Sequence, residues 1–294
     1  MKRVLITGAN SYVGTNVERW LLNASEEFYV DTVDTFNDNW KKADFTKYDA
    51  VFHVAGIAHV DPKPEMAPLY YKVNTEMTLE IAKWAKEKGV KHFIFMSSGI
   101  VFHASKSLKP NVMTLNTVPN PNDFYGDSKL QAEKGLHELE SPLFKVAILR
   151  PPMIYGPGCK GNFLRLGWLA TKTPIFPAWH NKRSMLFIDN LAEFVKQIIK
   201  RELRGIFYPQ NKELSDTVEI VRYFANKYNK KIWISKLFNP CVVLGSWILP
   251  QIPKMFADSY YEKTMSEYDF EYQLVSLADS MKTLEVTEAN RYMK

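Results

Sequence analysis

Arg3-Val4-Leu5-Ile6-Thr7-Gly8-Ala9-Asn10-Ser11-Tyr12-Val13-Gly14 opens the chain and decides its fold. Arg3–Thr7 is an apolar run of strand length. Val13–Leu22 then carries apolar residues at helical spacing, at Val13, Val17, Trp20 and Leu21. A strand that turns through glycine into a helix brings free N–H groups and the positive end of a helix dipole together, which seats a pyrophosphate. Gly8 permits the tight turn, and Gly14 lets helix and strand pack closely. Ser11 stands where the commoner pattern has a middle glycine, so the backbone approaches a phosphate less freely there. Gly8, Asn10, Ser11, Tyr12 and Gly14 are the expected cofactor contacts of this turn. A plain strand-to-helix turn can look the same, but the flanking strand and helix favour a dinucleotide site.

Outward from this turn, strand-like and helix-like segments alternate. Phe28–Val33, Ala50–Val54, His92–Met96 and Phe144–Leu149 read as strands, and a helix from about Leu69 to Lys88 and another over Tyr125–Leu139 lie between them. Strands separated by helices predict an α/β fold, a doubly wound parallel sheet with covered faces. The pattern changes after Arg150-Pro151-Pro152, where Pro157, Gly158, Gly161, Pro174 and Pro177 punctuate the chain. Leu186–Lys200 then reads as helix and Ile206–Tyr208 as a late strand. The C-terminal third reads as irregular and aromatic-rich, ending in a helix near Leu274–Leu284. The expected layout is a nucleotide-binding domain over 1–150, joined by a returning segment at about 184–208. A smaller substrate-binding region is expected over 151–183 and 209–294.

Asp34 follows the second strand, twenty residues past Gly14. A carboxylate there accepts hydrogen bonds from ribose hydroxyls and repels a 2′-phosphate. Thr35 and Phe36 follow it without an arginine, so NAD is expected over NADP; otherwise Asp31 or Asp34 is only a turn residue. Asp44-Phe45 is placed to contact the adenine. The short gap between Asp34 and Asp44 leaves little room for the usual intervening helix.

Composition bounds the rest. The 294 residues are 46% hydrophobic, enough for a packed core. No apolar run is long enough to span a bilayer, and the N-terminal one is too short for a signal peptide. Two distant cysteines, Cys159 and Cys241, fit a reducing cytoplasm rather than a disulfide framework. His53, His59, His92, His103, His137 and His180 show no metal-ligand spacing. The net charge of +6 suits an anionic small substrate, and no motif points to nucleic acid.

Chemistry concentrates in Tyr125-Gly126-Asp127-Ser128-Lys129, downstream of Ser97-Ser98. Residues four apart share one helix face. A lysine beside a tyrosine favours the phenolate and lowers its pKa, which makes a usable base. With the glycine turn, these residues imply hydride chemistry on an alcohol or ketone.

As a set, these segments resemble the NAD-dependent epimerase/dehydratase family of the extended short-chain dehydrogenase/reductase superfamily, from Val4 to about Glu193. The resemblance includes Phe52-His53-Val54-Ala55-Gly56, Val73-Asn74-Thr75, Phe95–Phe102, Leu149–Gly158 and Arg183–Asp189. It implies a Rossmann-like fold and a sugar-nucleotide substrate, nearest to UDP-sugar 4-epimerases and 4-keto-sugar reductases of polysaccharide synthesis. By this resemblance Tyr125 is the acid/base, Lys129 binds the nicotinamide ribose, and Ser98 bonds the sugar O4. His53, Ala55, Gly56, Asn74, Ser97 and Pro152 join the cofactor contacts, while Asn162 and Arg183 meet the substrate. Phe102-His103 stands where Tyr-Gly is usual. A 4,6-dehydratase is disfavoured because Gly99-Ile100, rather than an acid pair, follows Ser98. A non-catalytic dinucleotide sensor is a further alternative, opposed by the retention of Ser98, Tyr125 and Lys129.

Two readings concern partners. A homodimer built on the helices over Leu69–Lys88 and Tyr125–Leu139 is what the resemblance implies. Pro240–Pro250, apolar and flanked by Lys236 and Lys254, reads as packing in the small domain or a subunit contact, with a membrane surface as the alternative.

Overall fold

The computed structural model of the chain describes residues 1–58, 63–103, 105–159 and 162–285. His59, Gly161 and the side chain of Asn162 lie outside the described residues. The first half runs β1 (Lys2–Thr7), α1 (Tyr12–Leu22), β2 (Phe28–Val33), β3 (Ala50–His53), α2 (Ala67–Tyr70), α3 (Met77–Glu87) and β4 (His92–Met96). It continues with β5 (Asn111–Met113), α4 (Phe124–Leu139) and β6 (Lys145–Leu149). Then follow β7 (Met153–Tyr155), α5 (Asn162–Lys172), β8 (Ile175–Pro177), β9 (Met185–Phe187), α6 (Ile188–Arg201) and β10 (Gly205–Phe207). The remainder holds α7 (Thr217–Lys227), β11 (Trp233–Ser235), α8 (Asn239–Ile248), α9 (Gln251–Phe256), β12 (Ser259–Tyr261) and α10 (Leu277–Lys282).

Six strands form one parallel sheet in the order β10-β6-β4-β3-β1-β2. Alternation along each strand sends side chains to two separate cores. Val4, Ile6, Phe52 and Ile94 pack towards α1 and α6. Leu5, Val51, Phe93 and Phe95 pack with Ile81 and Ala85 of α3 and Ala132 and Leu136 of α4. A sheet buried on both faces requires apolar residues at nearly every position, which is why these strands read as unbroken apolar runs. Each large side chain withdrawn from water contributes about 1.5–3 kcal/mol.

The register lines up the carboxyl ends. Thr7 lies opposite Val33 on one side and His53 on the other, and Met96 lies opposite Leu149. From β1 the chain goes first to β2 and then crosses to β3 on the opposite side. The crevice above β1 and β3 is therefore the switch point at which such sheets bind ligands.

Between β2 and β3 there is no regular helix; 3₁₀ turns over Phe36–Lys42 and Phe45–Lys47 fill the short gap, with Asn37 and Asp38 in left-handed conformation. The expected helix over Leu69–Lys88 is continuous but carries a π-helical turn at Tyr71–Glu76. Two expectations change. Leu186–Lys200 is not all helix: Met185–Phe187 first forms β9 against β7, and α6 starts only at Ile188. The C-terminal third is more regular than its sequence suggests. It supplies α7, which packs on α5, and β11 and β12, which pair with β8 and β5. Among the described residues, no helix is long and apolar enough to cross a membrane. No group of three His, Cys, Asp or Glu is placed to hold a metal ion among them.

Candidate active site

The turn after β1 is a bare backbone cradle. Gly8 has φ +110°, and a Cβ there would stand 2.7 Å from the Ala55 nitrogen. A Cβ on Gly14 would stand 2.6 Å from Ser11 Oγ and 3.1 Å from the Gly8 carbonyl. Glycine is thus required at both ends by packing against the loop after β3 and the turn itself, and the start of a helix after such a turn is where a dinucleotide pyrophosphate binds. Asn10 adopts a left-handed φ of 63°, which asparagine tolerates better than most residues. Ser11 is the N-cap of α1; its Oγ accepts from the Gly14 N–H at 3.1 Å. The hydroxyl that replaces the middle glycine thus satisfies one helix-end donor itself. Tyr12 begins α1, with its ring reaching towards Gly156.

Around this cradle the expected contacts divide. Asp34 is exposed just past the end of β2, and its Oδ1 accepts from the Phe36 N–H at 2.9 Å. Asp31 instead lies within β2 and accepts from the Tyr48 hydroxyl at 2.7 Å. Asp44 caps the short turn after it through Thr46 and pairs with Lys47. Phe45 departs from its expected contact with the adenine. Its ring is 1% exposed, edge-on to Trp40 in the core beneath the sheet. His53 also departs, because it points into the sheet rather than along the crevice. Its Nδ1 and Nε2 bond Thr7 Oγ1 and Thr78 Oγ1 at 2.6 and 3.0 Å. Burial, with the Lys129 charge adding to it, pulls its pKa down to about 3, so it is neutral.

The catalytic candidates converge above β4. Ser97 and Ser98 follow β4 directly, and the turn after them is fixed by the Gly99 N–H donating to the Pro151 carbonyl at 2.8 Å. That bond ties the serine turn to the exit of β6 and to the neighbouring Pro152. Helix α4 starts beside it, capped by Asp123, whose Oδ1 accepts from the Gly126 N–H at 2.7 Å. Tyr125 is therefore held on the first turn of α4, with its phenol hydrogen-bonded by Ser98. Burial pushes the Tyr125 pKa up to about 12; the Ser98 bond works against this, while Tyr70 and Asp123 add to it.

Lys129 lies one turn further, on the same helix face as Tyr125. Its Nζ donates to the Met96 carbonyl at 3.0 Å and stands 4.6 Å from the centre of the Phe95 ring. Burial pulls the ammonium down to about 8, against the pull of Glu133. Its charge is not among the influences acting on the phenol. The Tyr125 phenol thus lies above its usual value, where the sequence reading expected it lowered.

Gly56 faces Lys129 across the crevice. A Cβ there would stand 2.9 Å from Asn74 Oδ1 and 3.1 Å from Lys129 Nζ. Asn74, fully buried on the π-helical turn, accepts from the Ile57 N–H at 2.8 Å and donates to Ser128 Oγ at 3.1 Å. It locks the loop after β3 to α4. Ala55 is buried against the Gly8 turn.

Ser97 turns away from the crevice. Its hydroxyl donates to Glu133 Oε1, so its side chain is committed to a buried network rather than to the cofactor contact expected of it. Glu133 is also bound by Arg150 through Nε at 3.1 Å and Nη2 at 2.5 Å. Arg150 continues to the Tyr208 hydroxyl at 3.3 Å, and its carbonyl accepts from Tyr261 at 2.8 Å. Sequence reading missed Glu133 and Tyr70. Glu133 lay in view four residues after Lys129, on the same helix face. Tyr70 packs edge-on to Tyr125 at 5.9 Å, and no local signal marks it. Arg183 Nη1 donates to the Lys254 and Met255 carbonyls. Its Nε has no partner, no carboxylate pairs with it among the described residues, and burial pulls its pKa down to about 10.

Comparison with known proteins accords with this geometry. Residues 4–205 match the model of the NAD dependent epimerase/dehydratase family. A UDP-glucose 4-epimerase of Vibrio cholerae is 32% identical over 255 residues, covering 79% of this chain and 77% of its own length. An N-acetyl-alpha-D-glucosaminyl-diphospho-ditrans,octacis-undecaprenol 4-epimerase of Escherichia coli O157:H7 is 27% identical, covering 87% of this chain and 82% of that one. In fold, the chain is similar to a UDP-glucuronic acid 4-epimerase of Bacillus cereus solved with NAD. The TM-score is 0.72 at 19% identity, over 99% of this chain and 100% of that one. With the matched segment extending from the glycine turn through the tyrosine–lysine helix to β10, the chain belongs to the NAD-dependent epimerase/dehydratase family.

Proposed function

We propose that the protein is an NAD-dependent 4-epimerase of a nucleotide-diphosphate sugar, with a UDP-sugar as the substrate. The observation that carries this reading is the Ser98–Tyr125 hydrogen bond at the carboxyl end of β4, beside a buried Lys129. Two relatives whose names are those of 4-epimerases support the position of attack on the sugar. Asp34, exposed past β2 with no arginine beside it, supports NAD over its 2′-phosphorylated form. Arg183, desolvated and without a carboxylate partner among the described residues, supports a diphosphate on the substrate, since guanidinium binds phosphate in a bidentate way.

In this reading Tyr125 removes the proton from the C4 hydroxyl while Ser98 holds that oxygen by a hydrogen bond. When bound, NAD would supply a hydride acceptor and a positive charge, and an opposite charge nearby favours the ionised form of an acid. Lys129 serves chiefly to hold the ribose, because its ammonium is directed at the Met96 carbonyl and the Gly56–Asn74 side of the crevice. After the 4-keto sugar turns over, return of the same hydride to the opposite face of C4, with Tyr125 giving back the proton to O4, would release the opposite epimer with no net redox. Positioning and charge stabilisation supply most of the acceleration. Tyr125→Phe is expected to lower kcat by about 10²–10⁴-fold while NAD still binds. Turnover at the wild-type rate in that variant removes Tyr125 from its role. Saturable NAD binding with no turnover on any sugar in the wild type would favour a dinucleotide sensor instead.

A further inference from the structure

Helix α8 presents its apolar side to solvent. Leu237 before it, Val243, Leu244, Trp247 and Ile248 on it and Leu249 after it are all exposed, Trp247 by 79% and Ile248 by 77%. Within α8 the exposed apolar positions recur at three- and four-residue spacing, so they form one face. Val242 is the one fully buried side chain of the helix among the described residues. A helix that packs into its own domain has the reverse arrangement, with the apolar stripe inward. A contiguous exposed patch of this kind marks a docking surface rather than ordinary surface scatter.

The charge around the patch identifies its occupant. From Asn229 to Ala257 the chain carries Lys230, Lys231, Lys236 and Lys254 and no Asp or Glu. None of the four forms an ion pair among the described residues. Lys106 and Lys109, from the loop between the Ser98 turn and β5, wall a hollow of about 390 Å³ whose other side is Val243 and Trp247. An apolar tip bearing an exposed tryptophan and bordered by unpaired lysines matches the boundary of an anionic lipid bilayer, with acyl chains below and phosphates level with the cations. We propose that α8 docks the enzyme on such a membrane surface, lying in the interface without crossing it.

The surface is joined to the site. The Lys106–Lys109 loop leaves the catalytic serine turn, and β12, which follows α9, brings Tyr261 against Gly99. Membrane docking would therefore hold the crevice near the headgroup layer.

The test is cosedimentation of the full chain with vesicles of phosphatidylcholine alone and of phosphatidylcholine with about one-third phosphatidylglycerol, at low and high salt. The wild type is expected to pellet with the anionic vesicles and to be released by salt. Trp247→Ser combined with Ile248→Ser is expected to weaken binding at least about tenfold. Lys236→Glu with Lys254→Glu is expected to weaken it by about fivefold or more per lysine. Thermal unfolding of each variant, all changed at exposed positions, checks that the fold is kept; if the apolar variant does not fold, the charge variant and the salt series decide. Wild-type protein that stays in the supernatant, or variants that bind as the wild type does, overturn the proposal. So does an apolar variant that turns a dimer into a monomer without any vesicle binding, because a second copy then covers the face.

Discussion

At the scale of single residues, the site depends on the close approach of two side chains, Lys129 and Asn74, to a glycine. Lys129 has an unobstructed ammonium only because Gly56 has no Cβ; an added methyl group would stand 3.1 Å from Nζ and 2.9 Å from Asn74 Oδ1. Gly56→Ala is therefore expected to weaken NAD binding about tenfold, since one of these polar partners must move and a displaced charge-assisted contact is worth roughly 1.5–3 kcal/mol. Calorimetric titration with NAD checks this, and unchanged affinity would show that Lys129 is not held for the cofactor. Serine at position 11 was legible as a departure but not as a cap, because only the folded turn shows its hydroxyl taking the Gly14 N–H. Phe45 was misplaced for a related reason. A residue beside an acid just before the third strand reads as crevice lining, whereas the tight 3₁₀ turn directs this ring into the core beside Trp40.

At the scale of elements, what holds the Ser97–Gly99 turn is a buried ion pair beneath it. Glu133 on α4 and Arg150 at the end of β6 are each about 4–5% exposed at the side chain, and they join the helix that carries Tyr125 to the strand that fixes Gly99. Removing one partner of a buried pair leaves the other charge desolvated, at a cost of about 3–5 kcal/mol. Glu133→Gln is expected to lower the melting temperature by roughly 6–20 °C, and adding Arg150→Met should restore part of the loss. A single variant as stable as the wild type would mean that this pair does not support the turn.

The strands of the main sheet were legible because both faces are buried, which leaves unbroken apolar runs bounded by turn residues. Helix α4 was legible over Tyr125–Leu139, and its Asp123 cap appears only in the fold. The β9–α6 boundary was not, since Phe187 passes from strand to helix with no side-chain cap, glycine or proline to mark the change. Helices α5 and α7 escaped because prolines, glycines and scattered aromatics dominate their surroundings, and long-range packing of α5 on α7 rather than local pattern defines them. Pro240–Pro250 was read chiefly as internal packing on its apolar content; only its exposure in the fold distinguishes it from a buried segment.

At the scale of the whole molecule, two neutral histidines make stability depend on pH. Burial pulls His53 down to about 3 and His92 to about 4, from a usual value near 6.5. Below pH 6.5 the unfolded chain takes up protons that the native chain refuses, so stability falls as the pH drops towards these values. The loss between pH 7 and pH 5 is about 2 kcal/mol for each histidine. Denaturant unfolding at the two pH values checks this, and His53→Gln should flatten the dependence by its own share. An equally steep dependence in that variant would assign the effect to other groups.

The central claim is that Tyr125 and Ser98 serve an inversion at C4 that begins and ends at the same oxidation level. Proton NMR of the protein incubated with NAD and a panel of UDP-hexoses and UDP-N-acetylhexosamines tests it most directly, because the H4 coupling distinguishes the two epimers. One sugar is expected to convert to an equilibrium mixture of 4-epimers with no accumulation of reduced cofactor. Stoichiometric oxidation or reduction of the cofactor with a single sugar product, and no 4-epimer from any member of the panel, would contradict it.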